Sequence, residues 1–336
     1  MPRPDFDVVL ETRLTPRAPR AALWTGVGAA VVYGLAFRLL INRPGFGNLF
    51  GAMTIAFLFL VPFVVGYLTV HVGDRDGKWS WPRRLLLPWL SALLSLGIAL
   101  AFAWEGLICV VIWLPLFLLV SLLGGLVAAL VGKAVRSRRA RGVLAGCVAL
   151  LPAAVAPLEH RAPAPDEVRI VATAIEIAAS PATVWSEIAR VRKFEPDEHR
   201  FAWSHAIGFP KPIEATLSHE GVGGVRHASF EGGVVFVETV HAWEPERHLA
   251  FAIEADPEAI PARALDEHVT VGGPYFDVLE GDYRIEELSG GRVRLSLESR
   301  HRLSTRFNPY AGLWTDFILK DTQRYILEAL RRRCEA

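Results

Sequence analysis

The chain changes character near residue 160, and that change limits its fold more than any single motif does. Before it come four long apolar runs, 21–41, 49–70, 85–103 and 107–131, and a shorter fifth, 143–157. After it the sequence alternates, carries charge and aromatic residues, and reads as a water-soluble α+β module. A spanning helix needs about 20 mostly apolar residues. The first four runs meet that length with almost no charge. Backbone in lipid must satisfy its own hydrogen bonds, so helices are the expected form. The fifth run is short and holds Pro152 and Pro157. It either spans or dips into the interface.

Charge placement gives the runs a direction. The N-terminal tail has Arg3, Arg13, Arg17 and Arg20. The loop after the second run has Arg75, Lys78, Arg83 and Arg84, and the loop after the fourth has Lys133, Arg136, Arg138, Arg139 and Arg141. The intervening turns carry only Arg43 and Glu105. Cytoplasmic loops collect Lys and Arg. The pattern therefore places the N-terminus and both basic loops inside, in strict alternation. A spanning fifth helix then puts the module on the outer, periplasmic or extracellular side. A fifth run that only dips leaves it in the cytoplasm. Trp79, Trp81, Trp104 and Trp113 fall near run ends or within runs, partly as an aromatic belt would.

The formal charge of +1 hides an asymmetry. Residues 1–165 hold sixteen Lys/Arg against seven Asp/Glu, a net of +9, and residues 166–336 hold twenty against twenty-eight, a net of −8. The basic half suits inner loops beside anionic lipid. The acidic half argues against nucleic acid as a partner. Cys109 and Cys147 sit in apolar runs and Cys334 at the tail, so no disulfide is expected within the module. The first twenty residues show no cleavable signal, and the first run is expected to act as an uncleaved anchor. Residues 159–165, rich in Pro and Ala, read as a short extended linker.

The module at 166–336 opens with a β-branched alternating strand at 168–178. Ser180 then caps a helix with Pro181 as its first residue, followed by 182–190. A short irregular stretch, 191–199, leads to strands at 213–220, 225–231, 234–243, 248–254, 276–287 and 292–303. The turns between them include Gly221-Val222-Gly223-Gly224, Gly232-Gly233, Glu244-Pro245-Glu246 and Ser289-Gly290-Gly291. A long helix from about Pro309 to Arg333 ends the chain. One strand, helices, an antiparallel meander and a long helix make a curved sheet gripping that helix.

These residues carry a resemblance. Ile175-Glu176-Ile177-Ala178-Ala179-Ser180-Pro181-Ala182-Thr183-Val184-Trp185 resembles the opening of the START-like superfamily, also called SRPBCC or polyketide cyclase/dehydrase-like. Residues 221–253, with Val222-Gly223-Gly224-Val225-Arg226 and Glu238-Thr239-Val240 before Trp243-Glu244-Pro245-Glu246-Arg247, resemble its middle. The resemblance covers about 166–334. The family includes cyclases, lipid carriers and ligand receptors. The expected fold class is thus an α-helical transmembrane bundle followed by an α+β helix-grip domain, with a curved antiparallel sheet around a long C-terminal helix. The membrane half resembles no named family.

The resemblance implies a cavity between the sheet and the last helix, and alternation says which side chains would face it. In the last strand Val293, Leu295, Leu297, Ser299, His301 and Leu303 share one face; Arg292, Arg294, Glu298, Arg300 and Arg302 share the wet one. In the preceding strand Asp277, Leu279, Gly281, Tyr283 and Ile285 are expected inward. On the final helix Tyr310, Trp314, Phe317, Asp321 and Tyr325 fall on one side at helical spacing. Tyr283, His301, Trp314, Phe317 and Asp321 are expected to converge, with Asp277, Leu297 and Tyr310 completing the ligand pocket. His301, Asp321 and Glu238 are the residues able to act as acid or base there. Each also has a plain structural reading, as a core or rim group or as half of an ion pair.

No nucleophile elbow, phosphate loop, metalloprotease signature or dinucleotide fingerprint is present. The eight histidines of the module are scattered, so no metal site and no cofactor is expected. The leading expectation is a membrane-anchored module that binds a hydrophobic or amphipathic small molecule. A cyclase- or dehydratase-like enzyme using a pocket His or carboxylate as general base is the first rival. A membrane-tethered sensor that contacts a partner protein is the second. Topology is directly testable: a reporter fused after Ala336 should be active only on the outer side of the membrane. Cytoplasmic activity would mean that 143–157 does not cross.

Overall fold

The computed structural model describes residues 20–41, 53–159, 161, 163–257 and 270–336. The tail arginines Arg3, Arg13 and Arg17, the turn residue Arg43, the start of the second run and His160 of the linker lie outside the described residues. Two compact units are formed. The first takes in the described residues of Met1–Arg43, Phe59–Ser95 and Leu116–Ala154. The second takes in those of Pro44–Leu58, Leu96–Pro115 and Val155–Ala336.

The apolar runs become helices α1 (Arg20–Ile41), α2 (Val61–Gly73, preceded by a π-turn Ala56–Leu60), α3 (Trp81–Ala101), α4 (Leu107–Ala134) and α5 (Arg138–Glu159). Among the described residues, five helices are long and apolar enough to cross a membrane by length and composition. The fifth is longer than its apolar run, because Arg138–Gly142 join it. At 22 residues it extends about 33 Å, close to a bilayer core. In the first unit, helices meet through small residues. A Cβ at Gly66 would lie 1.7 Å from the Ser121 carbonyl oxygen, and one at Gly124 would lie 1.9 Å from that of Phe63. Backbones of α2 and α4 can approach this closely only because both positions are glycine. Thr69 Oγ1 donates to the Val65 carbonyl at 2.8 Å and contacts Ser91 Oγ at 2.8 Å, which ties α2 to α3. The outward faces carry Val32, Leu86, Leu119, Leu130, Val143 and Leu150, all exposed.

The second unit contains a seven-stranded antiparallel sheet in the order β1-β7-β6-β5-β4-β3-β2. Its strands are β1 (Glu167–Ile177), β2 (Pro212–Leu217), β3 (Val225–Phe230), β4 (Val235–Glu244), β5 (His248–Ala255), β6 (Phe276–Leu288) and β7 (Arg292–Leu303). Helices α6 (Pro181–Ala189) and α7 (Trp203–Ala206) lie between β1 and β2, and α8 (Asn308–Glu335) follows β7. Ser180 caps α6 by accepting from the Thr183 amide at 3.2 Å, with Pro181 first in the helix, as the sequence pattern indicates. Bulges at Val240/Ala242 and Val278/Glu280 break the ladder and bend the sheet. The sheet is a curled half-barrel around α8.

Rotation of α8 on the sheet is fixed by polar contacts. Gln323 Nε2 donates to the Val171 carbonyl and Ser299 Oγ, each at 2.9 Å, and its Oε1 accepts from Thr173 Oγ1 at 2.8 Å. Leu327 and Leu330 are fully buried beneath it. The start of α8 is held by Asn308, whose Oδ1 accepts from the Thr305 amide at 2.7 Å while its Nδ2 donates to the Pro165 carbonyl at 3.0 Å. Gly66→Ala should force α2 from α4 and destabilise the helical unit by about 1–3 kcal/mol, the usual cost of overpacking. Thermal unfolding in neutral detergent measures this, with Gly146→Ala as control, since a Cβ at Gly146 meets open space.

Candidate ligand site

The two ends of the module interior have different chemistry. One end is an apolar cavity with about 700 Å³ of empty space, counting its open mouth. Its aromatic walls are Trp113, Phe209, Tyr275, Phe276, Phe307 and Trp314, with Ile112, Leu303, Ile318 and Leu319 between them. All belong to the second unit, which includes Leu96–Pro115. Trp113 packs edge-on to Phe307 at 4.7 Å and lies 5.5 Å from Tyr310. The Tyr310 hydroxyl donates to the Ile112 carbonyl. Nearly the whole lining is apolar, and Tyr275, Thr305 and Thr315 supply its few hydroxyls.

The other end is a smaller, polar cavity of about 400 Å³ on the same measure, against Arg226, Glu238, Tyr283, Phe251 and Ile326. Arg226 and Glu238 face each other across β3 and β4. Both are buried, with Arg226 Nη1 2.9 Å from Glu238 Oε2. The contact is close but poorly aligned, so Nε and Nη1 of Arg226 and Oε2 of Glu238 make no hydrogen bond. Arg226 Nη2 donates to the Ile188 carbonyl at 3.2 Å, and the guanidinium lies over the Phe251 ring at 4.6 Å. Burial pushes the Glu238 carboxyl up, and Arg226 opposes it. Burial also pushes the Tyr283 phenol up to about 12. Gly281 belongs to this wall because a Cβ there would meet the Phe251 ring at 2.6 Å.

The structure sorts the residues named from sequence. Leu297, His301 and Tyr283 face inward from β7 and β6, as alternation requires. His301 is fully buried; its Nε2 lies 3.2 Å from Thr315 Oγ1 and 3.8 Å from Asp316, and its Nδ1 has no hydrogen-bond partner. Trp314 lines the apolar cavity and Tyr310 packs beside it, whereas Tyr283 lines the polar one. The expected convergence on one cavity is therefore corrected: Trp314 and Tyr283 line different cavities, and Leu297 and His301 line neither. Asp277 is corrected as well. It pairs with Arg302 while Val278 pairs with His301, and the bulge after Val278 restores the inward parity of Gly281 and Tyr283. Asp277 thus lies on the outer face with Arg302, where partial burial pushes its carboxyl up. Phe317 is 42 % exposed rather than in a pocket. The Asp321 carboxylate accepts from the Ser204 amide at 2.7 Å and so caps α7. The seam that α8 buries runs through Ile318, Leu319, Thr322, Gln323, Leu327 and Leu330, and of the aromatic stripe read from sequence Tyr325 is buried with it while Phe317 is not.

Two groups escaped the sequence reading. Arg226 is the partner of Glu238, and the Gly-Gly turn between β3 and β4 was the signal that could have set their register. Arg169 faces inward opposite His301 and makes two hydrogen bonds to Asp316, at 3.1 and 2.7 Å, and one to Glu167 at 2.5 Å. Among the described residues no group of three or more His, Cys, Asp or Glu is placed to hold a metal ion.

No protein-family model matches this chain, and no curated protein does. Solved structures resemble its C-terminal half. A START superfamily protein from Mycobacterium smegmatis is 15% identical with a TM-score of 0.33, over 49% of this chain and 97% of that one. An aromatase/cyclase, Zhui, from Streptomyces sp. R1128 is 16% identical with a TM-score of 0.32, over 50% and 94%. Norcoclaurine synthase from Thalictrum flavum is 12% identical with a TM-score of 0.31, over 50% and 93%. At these identities none of the three says what this chain binds or converts.

His301 supplies a pH test. Burial pushes its imidazole down, Asp316 works against this, and Arg169 adds to it. A folded-state value below the unfolded one of about 6.5 means the unfolded chain takes up the proton first. The stability contributed by neutral His301 is full above that value and is lost as pH falls from about 6.5 through the folded value. His301→Gln should flatten the loss of thermal stability between about pH 7 and pH 5. An unchanged slope would assign the acid sensitivity to other groups.

Proposed function

We propose that this chain is a membrane-anchored ligand-binding protein whose helix-grip module holds an apolar or amphipathic, lipid-like molecule. The apolar cavity carries the reading. Sites for such ligands are concave, mostly apolar and supplied with few polar points, and this one is walled by six aromatic side chains with only three hydroxyl-bearing residues among its lining. Membrane anchoring is supported by the five apolar helices and by the exposed Leu and Val on their outward faces. Phe201, Trp203, Leu313 and Phe317 also stand exposed around α7 and the first half of α8. Exposed aromatics of this kind suit a lipid–water interface.

The enzymatic alternative has one observation in its favour. The buried Arg226–Glu238 pair beside Tyr283 leaves unused donors and an acceptor next to a polar cavity. A carboxyl raised by burial is a general-base candidate, and a neutral phenol can donate a hydrogen bond. A cyclase-like reaction on a small ring-forming substrate would use these groups rather than His301.

Mass spectrometry of an organic extract of the purified full chain tests the binding reading. A lipid-like molecule should co-purify in near-stoichiometric amount. Trp314→Ala should lose it, with a modest stability cost of about 1–2 kcal/mol, because one side of the ring already faces empty space. A cost of about 3–5 kcal/mol would mark Trp314 as core. A folded variant that retains the same molecule would remove the apolar cavity as the site.

A further inference from the structure

The helical half holds a separate cavity that the ligand-binding reading does not use. It lies within the first unit and has about 560 Å³ of empty space, counting its open mouth. Val70, Ala128 and Ala129 form its apolar side; His71, Asp74, Arg84, Lys133 and Arg141 form its polar side. Four helices contribute: the end of α2, the start of α3, the end of α4 and the start of α5.

The charges do not balance. Asp74 is the only acid in the lining, and both its oxygens are committed. Oδ1 accepts from the Trp79 amide at 2.9 Å, and Oδ2 accepts from Arg84 Nε at 2.7 Å. Arg84 also donates to the Gly77 carbonyl at 3.1 Å. That pair is internally satisfied and contributes no net charge. Lys133 and Arg141 remain. Lys133 Nζ lies 4.7 Å over the Trp81 ring, a contact that leaves its N–H donors free. Arg141 Nε is buried without a hydrogen-bond partner. A buried donor left without an acceptor carries a desolvation cost, so a complementary acceptor is favoured. Asp76, the other acid of the α2–α3 loop, pairs at 3.5 Å with Arg138 instead, and both are solvent-exposed.

We propose that this cavity binds a phosphate-type anion, carried by the head group of an anionic lipid. Two uncompensated cations with free donors fit a phosphate, and Arg presents a geometry that phosphate oxygens match. The apolar side formed by Val70, Ala128 and Ala129 gives an acyl chain a wall to follow. Trp81, 47 % exposed at the rim, is placed as an interfacial anchor. Basic pockets between transmembrane helices are built for this task.

Native mass spectrometry of the full chain, released from neutral detergent, tests it. Phosphatidylglycerol, phosphatidylcholine and inorganic phosphate are added in parallel. Phosphatidylglycerol should be retained about tenfold over phosphatidylcholine, as expected for two cations beside an anionic head group. The preference should fall with added salt. The Lys133→Gln/Arg141→Gln double variant should abolish it, and Arg141→Lys should keep part of it. Should the double variant fail to fold, Lys133→Gln alone, at an exposed position, should lower the preference. Phosphate adducts without lipid preference, lost in the double variant, would keep the anion site and make its ligand a free ion. Equal retention of both lipids with no phosphate adduct, or a preference that survives the double variant, overturns the proposal.

Discussion

The second unit depends on how α8 is locked against β1 and β7. Gln323 is 3 % exposed, yet its amide makes three hydrogen bonds to the sheet. A buried amide tolerates only the rotation that satisfies it, because each unmade bond carries a desolvation cost. That rotation turns Leu327 and Leu330 into the core, Trp314 toward the apolar cavity and Phe317 toward solvent. Farther up the helix, Arg169 reaches from β1 to Asp316 with two hydrogen bonds. Its guanidinium lies where a Cβ on residue 312 would come within 2.8 Å, so Gly312 is required for the clamp. The clamp also sets the surroundings of His301, which sits beside Asp316 and opposite Arg169.

A helix held this firmly can wall two cavities without collapsing onto the sheet. The interior forms two apolar clusters, one around Phe194, Phe236, Phe276 and Leu303, the other around Ile188, Leu249, Phe251 and Leu295. The apolar cavity joins the first and the Arg226–Glu238 cavity adjoins both. Burying an ion pair is seldom a gain in stability, because desolvation offsets most of the attraction. Removing one partner alone is costly, on the order of 3–5 kcal/mol. The pair is therefore poor evidence for a stabilising device and better evidence for a use of its unpartnered N–H groups and carboxylate oxygen.

Much of this architecture could be read from the residues because local rules and tertiary packing agree there. Strict alternation in β7 places His301, Ser299 and Leu297 inside with no exception along the strand. The Ser180-Pro181 start of α6 is a local signal, and it is realised locally. The failures have physical causes. Simple alternation puts Asp277 inward, but one bulge inverts parity, and no residue type in Val278-Leu279-Glu280 announces it. Helical spacing puts Phe317 on one side with Trp314 and Tyr325, yet packing against the sheet leaves it 42 % exposed, and that packing is not encoded in the helix itself. Glu159 was read as linker. It ends α5, where its carboxylate accepts from the Ile55 and Ala56 amides at 2.8 and 2.9 Å. Those amides open the π-turn before α2 and need an acceptor from outside it. A partner some hundred residues away in sequence leaves no local trace.

The first unit is apolar on its outward faces as well as within, and small and polar side chains stand at its closest helix contacts. Glycines at 26, 66 and 124 and the polar Thr69, Ser91 and Ser121 lie between its helices, while Leu and Val point outward. In water this arrangement would expose apolar surface that could otherwise be buried. Between helices in hydrocarbon there is no such drive, and close backbone approach with small polar contacts becomes the main source of cohesion. Ser91 donates to the Leu87 carbonyl of its own helix and its oxygen lies 2.8 Å from Thr69 Oγ1, so both hydroxyls find partners within the helical unit, as the proposed lipid setting would require. The same logic makes the uncompensated Lys133 and Arg141 informative. In the proposed membrane setting, unmatched cations beside a cavity call for an anionic partner, and anionic lipid is the one a bilayer supplies.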